Sequence, residues 1–258
     1  MKAVSDVDAA LASFAALDEA ELARPWRFRD KPSDIRYAIY RTLQDAQAAY
    51  VRLATLPHPG SRRILALAQR AWGDLSGLLV GLPEEFLGRW PRHGEWSIRE
   101  TLRHIMVIEG RYAVQTLYAT ERADADPLRV ADDKMPTPAQ IDVTGGLADL
   151  LGRVRAARRE THRRLDALPA ALLTRPTQWM QFDADVRFRL HRFAAHLIEH
   201  GIQCEKTLAA LGVPFTEGRR IVRRLTALLC EVEGLGGPDE ARAIEQRLVE
   251  RASSVATA

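Results

Sequence analysis

Apolar residues recur every three or four positions through almost the whole chain, and nowhere do β-branched and aromatic residues alternate over the length of a strand. That is the 3.6-residue period of amphipathic helices without the two-residue period of half-buried strands. The sequence therefore predicts an almost entirely α-helical protein. Proline, glycine and capping residues divide it into helices over about 6–23, 33–53, 61–82, from Ser97, and over about 147–168, 188–211, 217–233 and 239–252, with a fraying tail at 253–258. With 47% apolar residues among 258, the chain can bury a substantial core.

The helix over 188–211 places His196 and His200 four residues apart. That spacing leaves the two imidazoles about 40° apart around the axis and about one turn apart along it, so they can share one ion. A third ligand must come from another helix, and His104, set among Leu102, Ile105 and Ile108, is the candidate. Its helix has the clearest start in the chain: Ser97 followed by Glu100 is a capping box, in which each side chain accepts a bond from an otherwise unpaired N–H. The cap fixes the depth at which His104 projects, two turns in. One histidine on one helix and a pair on another suit zinc, nickel, iron or another divalent transition ion with positions left open. Spacing alone leaves the alternative open that His196 and His200 merely sit on a solvated or core face.

Trp96-Ser97 opening a helix, His104 seven residues on from Ser97 with Glu109 beyond it, and H-x-x-x-H-x-x-Q (His196, His200, Gln203) running into Leu211-Gly212-Val213-Pro214 together resemble the DinB/YfiT-like superfamily over about 61–214. The resemblance implies an up-down-down-up four-helix bundle carrying a divalent metal on three histidines at one end. It implies an N-terminal helical extension at 1–60 and a C-terminal one at 215–258. It also implies relatives that include thiol-dependent transferases and isomerases, and a homodimer. In such a topology the second and third helices run parallel, so the Asp-, Pro- and Thr-rich stretch 122–146 has to carry the chain back along the bundle.

Three neutral imidazoles leave the charge of a divalent ion uncancelled. A bound water can then be acidified to a pKa of about 7, and a thiol that displaces it is held as the nucleophilic thiolate. The expected activity is that of a metal-dependent enzyme with a small-molecule substrate, a transferase activating a low-molecular-weight thiol. A metal-water hydrolase and a non-catalytic helical scaffold or association protein are the alternatives. An enzyme should present its open position to a pocket of roughly 300 Å³ or more, whereas Cys204 or a carboxylate would close a structural site.

Around the trio, Gln203 and Glu109 are the candidate partners for the second imidazole nitrogens, Glu109 having a salt bridge to Arg103 or Arg111 as its alternative. Tyr112 can line the pocket or belong to the core. Cys204, one more turn beyond His200, reads as a small buried residue rather than a ligand. Arg187, Arg189 and Arg192 precede the pair, and one of them could hold a substrate carboxylate. His191 faces away from His196, His58 and His93 read as turn and loop residues, and His162, amid Arg158, Arg159, Arg163 and Arg164, reads as part of a solvated face.

Acids and bases nearly balance, at a net charge of +3, so a pI of about 9.1 is no argument for a nucleic-acid partner without charge concentrated on one face. Two cysteines give no disulfide framework, which points to a reducing cytoplasm. Asp6 and Asp8 interrupt any secretory signal, and no apolar run reaches the ~20 residues of a membrane span. Nucleotide-binding glycine loops and a serine-nucleophile elbow are missing from the sequence. One echo stands out: 26–47 loosely resembles 90–104 if Ile35-Arg36 is laid on Ile98-Arg99, which puts Arg41 in the place of His104. A second capped helix explains it more simply than a metal-less relic of a similar half.

Overall fold

The computed structural model describes residues 2–256. Its helices are α1 (Lys2–Ala16), α2 (Glu19–Leu22), α3 (Ile35–Ala54), α4 (Gly60–Leu79), α5 (Ile98–Glu121), α6 (Leu147–Leu165), α7 (Ala170–Leu173), α8 (Val186–Ala210), α9 (Glu217–Gly234) and α10 (Pro238–Ala256). Three short 3₁₀ helices, Glu84–Phe86, Asp132–Lys134 and Pro138–Gln140, lie in the connections, and four short strands form two hairpins: β1 (Pro25–Phe28) pairs with β2 (Lys31–Asp34), and β3 (Pro176–Trp179) with β4 (Phe182–Asp185).

Helices α4, α5, α6 and α8 form a four-helix bundle in which α4 and α5 each pack on both α6 and α8. Its directions follow from contacts at the ends. Ser61 at the start of α4 donates to the Asp166 carbonyl just past α6, 2.8 Å, and Arg62 grips the Asp166 carboxylate, so α4 and α6 are antiparallel. Arg99 at the start of α5 bonds the Val143 and Gly145 carbonyls just before α6, so α5 and α6 start together and run parallel. This is the up-down-down-up order, and 122–146 is its crossover. Gln115, buried on α5, holds that crossover by exchanging bonds with Val130 N and O at 3.1 and 3.2 Å. The Leu-, Ile- and Val-rich interior of the bundle forms one core around Leu75, Leu102 and Leu150 and another around Leu65, Leu190 and Phe193. A separate core joins α1, α3, α9 and α10 through Phe14, Ile39, Leu225 and Leu248.

The capping box is present as the sequence predicts, with Ser97 N donating to Glu100 Oε2 at 2.8 Å and Glu100 N to Ser97 Oγ at 3.2 Å. Two expectations change. The first predicted helix is broken after Ala16, with Asp18 capping the short α2, and the predicted tail continues α10 to Ala256. The hairpins β1–β2 and β3–β4 were not predicted, because four-residue strands are too short to show an alternating pattern. Their two-residue turns place Arg29, Asp30 and Met180 in the left-handed region without glycine, so the usual turn signal is missing as well.

These hairpins also relocate the echo. Without a gap, α1–α2–β1–β2–α3 superposes in sequence on α6–α7–β3–β4–α8, bringing Arg24-Pro25 onto Arg175-Pro176, Asp34 onto Asp185 and Arg36 onto Arg187. Both hairpins keep one register, Pro25 opposite Asp34 and Pro176 opposite Asp185. Asp34 and Asp185 cap the following helices, accepting from Tyr37 N and Phe188 N. Phe28 meets Tyr37 edge-on at 5.7 Å and Trp179 meets Phe188 at 5.5 Å. Residues 26–47 thus correspond to the hairpin and helix that carry the histidine pair, and not to 90–104.

Candidate metal centre

Near its middle α8 turns His196 inward and leaves His200 half-buried, while α5, antiparallel to it, brings His104 alongside from its second turn. Each imidazole offers a ring nitrogen, and the three nitrogens lie within 4.8 Å of one another. The three histidines selected from spacing are thereby brought together. His196 Nε2 and His104 Nε2 face each other at 3.2 Å. Two imidazole lone pairs cannot point at each other at that distance unless one nitrogen carries a proton or a cation lies between them.

Burial, and then the charge of neighbouring histidines, pushes His104 down to about 4 and His196 down to about 3, and burial lowers His200 too. All three are therefore neutral near pH 7, the form that binds metal. His200 Nδ1 sits 2.7 Å from Gln203 Oε1. Because the amide oxygen can only accept, the proton is on Nδ1 and the Nε2 lone pair is free for an ion, the outer-partner arrangement common to metal-binding histidines. Three such nitrogens fit a divalent transition ion with positions left open.

Aromatic side chains wall the trio. The Trp96 ring lies 4.9 Å from that of His104 and stacks on His200 at 6.3 Å, and Tyr112 meets His196 edge-on at 5.6 Å. Trp96 precedes the Ser97 cap, so the same cap that sets the depth of His104 also lays the indole over it. Arg192, one turn before His196, pairs with Glu199 at 3.3 Å, neighbours the Tyr112 hydroxyl and lies over the Trp179 ring at 5.3 Å. Of the three arginines considered for a carboxylate, Arg192 is the one beside the trio; Arg189 is engaged by Thr177 and Gln178.

Among the remaining candidates Glu109 and His162 depart from expectation, whereas Cys204 and His93 sit as the sequence predicts. Glu109 pairs neither with an imidazole nor with Arg103 or Arg111: its Oε1 takes Arg158 Nη1 at 2.7 Å in the bundle interior. Cys204 is fully buried, its thiol pushed up to about 12, and it is not among the grouped ligands. His162 is not on a solvated face; its side chain is 14% exposed and burial lowers it to about 4. His58 Nε2 meets the Leu53 carbonyl at 2.8 Å, and His93 is an exposed loop residue. The nearest recess, between Trp96, Arg103, His104 and Pro138, touches the trio only through His104 and is about 130 Å³, below the roughly 300 Å³ expected of an enzyme pocket. A larger cleft of about 610 Å³ lies elsewhere, between α1, α4, α6, α9 and α10.

Among proteins of known family, the DinB superfamily model matches residues 67–204. No curated protein matches the sequence. The structure is similar to YfiT from Bacillus subtilis, described as a probable metal-dependent hydrolase with an unusual four-helix bundle topology, at 11% identity and a TM-score of 0.48, covering 62% of this chain and 92% of that one. Among the described residues no helix is long and apolar enough to cross a membrane.

Proposed function

This chain belongs to the DinB superfamily, and from that premise we propose that His104, His196 and His200 hold one divalent transition ion and that the protein is a metal-dependent enzyme activating a low-molecular-weight thiol for transfer to a small substrate. One observation carries the reading: three neutral imidazole nitrogens, from two helices fixed by a cap and a packed core, converge within 4.8 Å. A divalent ion there supplies undiminished positive charge that favours the thiolate over the thiol, and hydroxide over water.

The chain's own residues divide the remaining work. Gln203 holds the His200 ring and its tautomer. Trp96 covers one side of the trio and gives a flat apolar surface for a substrate entering from solvent. Arg192, paired with Glu199 and next to Tyr112, offers its guanidinium to a carboxylate beside the reacting centre.

Metal analysis of the purified protein comes first, with zinc, nickel or iron expected at one equivalent per chain. The loaded protein and His200→Ala are then compared for conjugation of glutathione or cysteine to electrophilic small molecules. Transfer lost in the variant supports the thiol reading. Hydrolysis without thiol consumption assigns the ion to water activation instead, and a metal-free protein of unchanged fold leaves only a helical scaffold.

A further inference from the structure

The helices outside the α4–α5–α6–α8 bundle repeat its plan. As α1 and α3 follow α6 and α8, so α9 follows α4: Pro57 and Pro214 lead in, Arg62-Arg63-Ile64 matches Arg219-Arg220-Ile221, and buried Leu65, Trp72 and Leu75 match buried Val222, Leu229 and Val232. Packing agrees. Helices α9 and α10 each pack on α1 and α3, as α4 and α5 each pack on α6 and α8. Only the order differs: the third and fourth helices of this set open the chain, and the first and second close it.

We propose that α1, α3, α9 and α10 are a second copy of the metal-binding bundle, split between the two ends of the chain, which has exchanged its ion for an arginine–aspartate cluster and takes the place of a second subunit. In the gap-free register of α3 on α8, Asp45 stands at the position of His196 and Ala49 at that of His200. Laying buried Ala241, Ile244 and Leu248 of α10 on buried Ile98, Thr101 and Ile105 of α5 puts Arg247 at the position of His104 and Arg251 at that of Ile108. The side chains at these positions do meet. Asp45 takes Arg251 at 2.8 Å, Arg41 at 2.9 Å and Arg247 at 3.7 Å. Guanidinium groups thus supply fixed positive charge where the other copy gathers imidazoles, and buried Ala49 offers no donor atom.

The contact between the copies has the self-complementary form of a two-fold interface, in which each contact recurs with its partners exchanged. A Cβ on Gly77 of α4 would lie 2.8 Å from Arg223 Cα and 3.0 Å from Thr226 Cβ. The exchanged contact is there: a Cβ on Gly234 would lie 3.1 Å from Ala66 Cα and 3.0 Å from Gln69 Cγ. A Cβ on Gly73 would lie 2.9 Å from Cβ of Cys230, its own counterpart, which places the pair on the axis. The first helix of each copy is therefore already spent on the other, and the homodimer that the family resemblance implies is replaced by a pair within one chain.

The proposal rests on the metal reading only for the ion that one copy lacks. Light scattering tests it independently of metal, with a particle of one chain, 28.9 kDa, expected and a stable two-chain particle overturning it. Zinc titration then compares the wild type with the quadruple variant Asp45→His, Ala49→His, Arg247→His, Arg251→Ile, followed by circular dichroism. One equivalent in the wild type and two in the variant are expected. Zero in the wild type removes the metal reading and leaves the mass result standing. A helical variant with no zinc beyond the wild type overturns the proposal, and so does a variant that loses its helices, since positions built on the plan of the first site accept imidazoles.

Discussion

His104 Nε2 and His196 Nε2 lie 3.2 Å apart although their residues sit on separate, antiparallel helices. The pairing requires α5 to begin where it does, because a slip of one residue would turn His104 about 100° around its axis. Removing one ligand from a three-nitrogen set should cost more than the 10–100-fold typical of losing an outer partner. His104→Ala should therefore leave purified protein without its ion, while the helical circular dichroism of the metal-free form changes little. A variant that still binds one equivalent of zinc with wild-type affinity would sink the assignment.

Gln203 touches the site only through His200, its Oε1 2.7 Å from Nδ1. Gln203→Ala frees the ring to rotate and to move its proton, and metal affinity should fall by about 10–100-fold with stoichiometry unchanged. Gln203→Glu keeps an acceptor in place and should restore affinity. A competition titration with a zinc chelator distinguishes these results from a purely structural role, in which both variants would bind as the wild type does.

Much of this was legible in the sequence because it depended on local spacing. The Ser97–Glu100 box and the four-residue step from His196 to His200 are fixed by helix geometry and need no knowledge of the neighbours. What was missed depended on register between distant segments. Glu109 finds Arg158 across the crossover, a pairing set by how α5 and α6 lie side by side. His162 looks solvated in a run of arginines, yet α6 turns it inward near Gly234 at the end of α9, where it is largely buried. The repeat was concealed because its copies share turn and capping residues, Arg24-Pro25 and Arg175-Pro176 or Asp34 and Asp185, while their buried positions exchange one apolar residue for another. The Ile-Arg pair shared by 35–36 and 98–99 pointed to the wrong segment.

The Arg158 guanidinium is fully buried and its only ion-pair partner among the described residues is Glu109, at 2.7 Å; Phe193 lies beneath it at 5.3 Å from the ring centre. Its Nε and Nη2 have no partner in the described interior. Removing the carboxylate would strand a buried charge, a loss of about 3–5 kcal/mol. Urea unfolding of Glu109→Ala should show a drop of that size. The double variant Glu109→Leu, Arg158→Met should recover most of it, because both charges leave together and are replaced by apolar volume.

Acid should weaken the fold through His162. Burial lowers its folded value to about 4 from the ordinary 6.5. Above 6.5 the ring is neutral in both states and contributes no pH dependence. As the pH falls from 6.5 toward 4 the unfolded chain takes up a proton that the folded one refuses, so stability declines by about 1.4 kcal/mol per unit, roughly 3 kcal/mol in all. Unfolding free energies at about pH 7 and about pH 4 should differ less in His162→Gln than in the wild type by that amount. An equal pH dependence in the two proteins would remove His162 from the account.

Two glycines in helix interiors should respond to alanine with opposite signs. At Gly152 of α6 an added Cβ meets nothing within 4 Å, so Gly152→Ala gains only the helical preference of alanine, about 1 kcal/mol. At Gly73 the same Cβ would lie 2.4 Å from Thr226 O and 2.7 Å from Ala227 Cα, and both are backbone atoms that no rotamer change can move. Relief requires α4 and α9 to part along the seam that joins the two helical sets, at the 1–3 kcal/mol typical of overpacking or more. The clash should outweigh the propensity gain, so the urea midpoint should rise for Gly152→Ala and fall for Gly73→Ala. If Gly73→Ala were as stable as the wild type, the close approach of α4 and α9 would be refuted, and with it the packing that holds the two sets together.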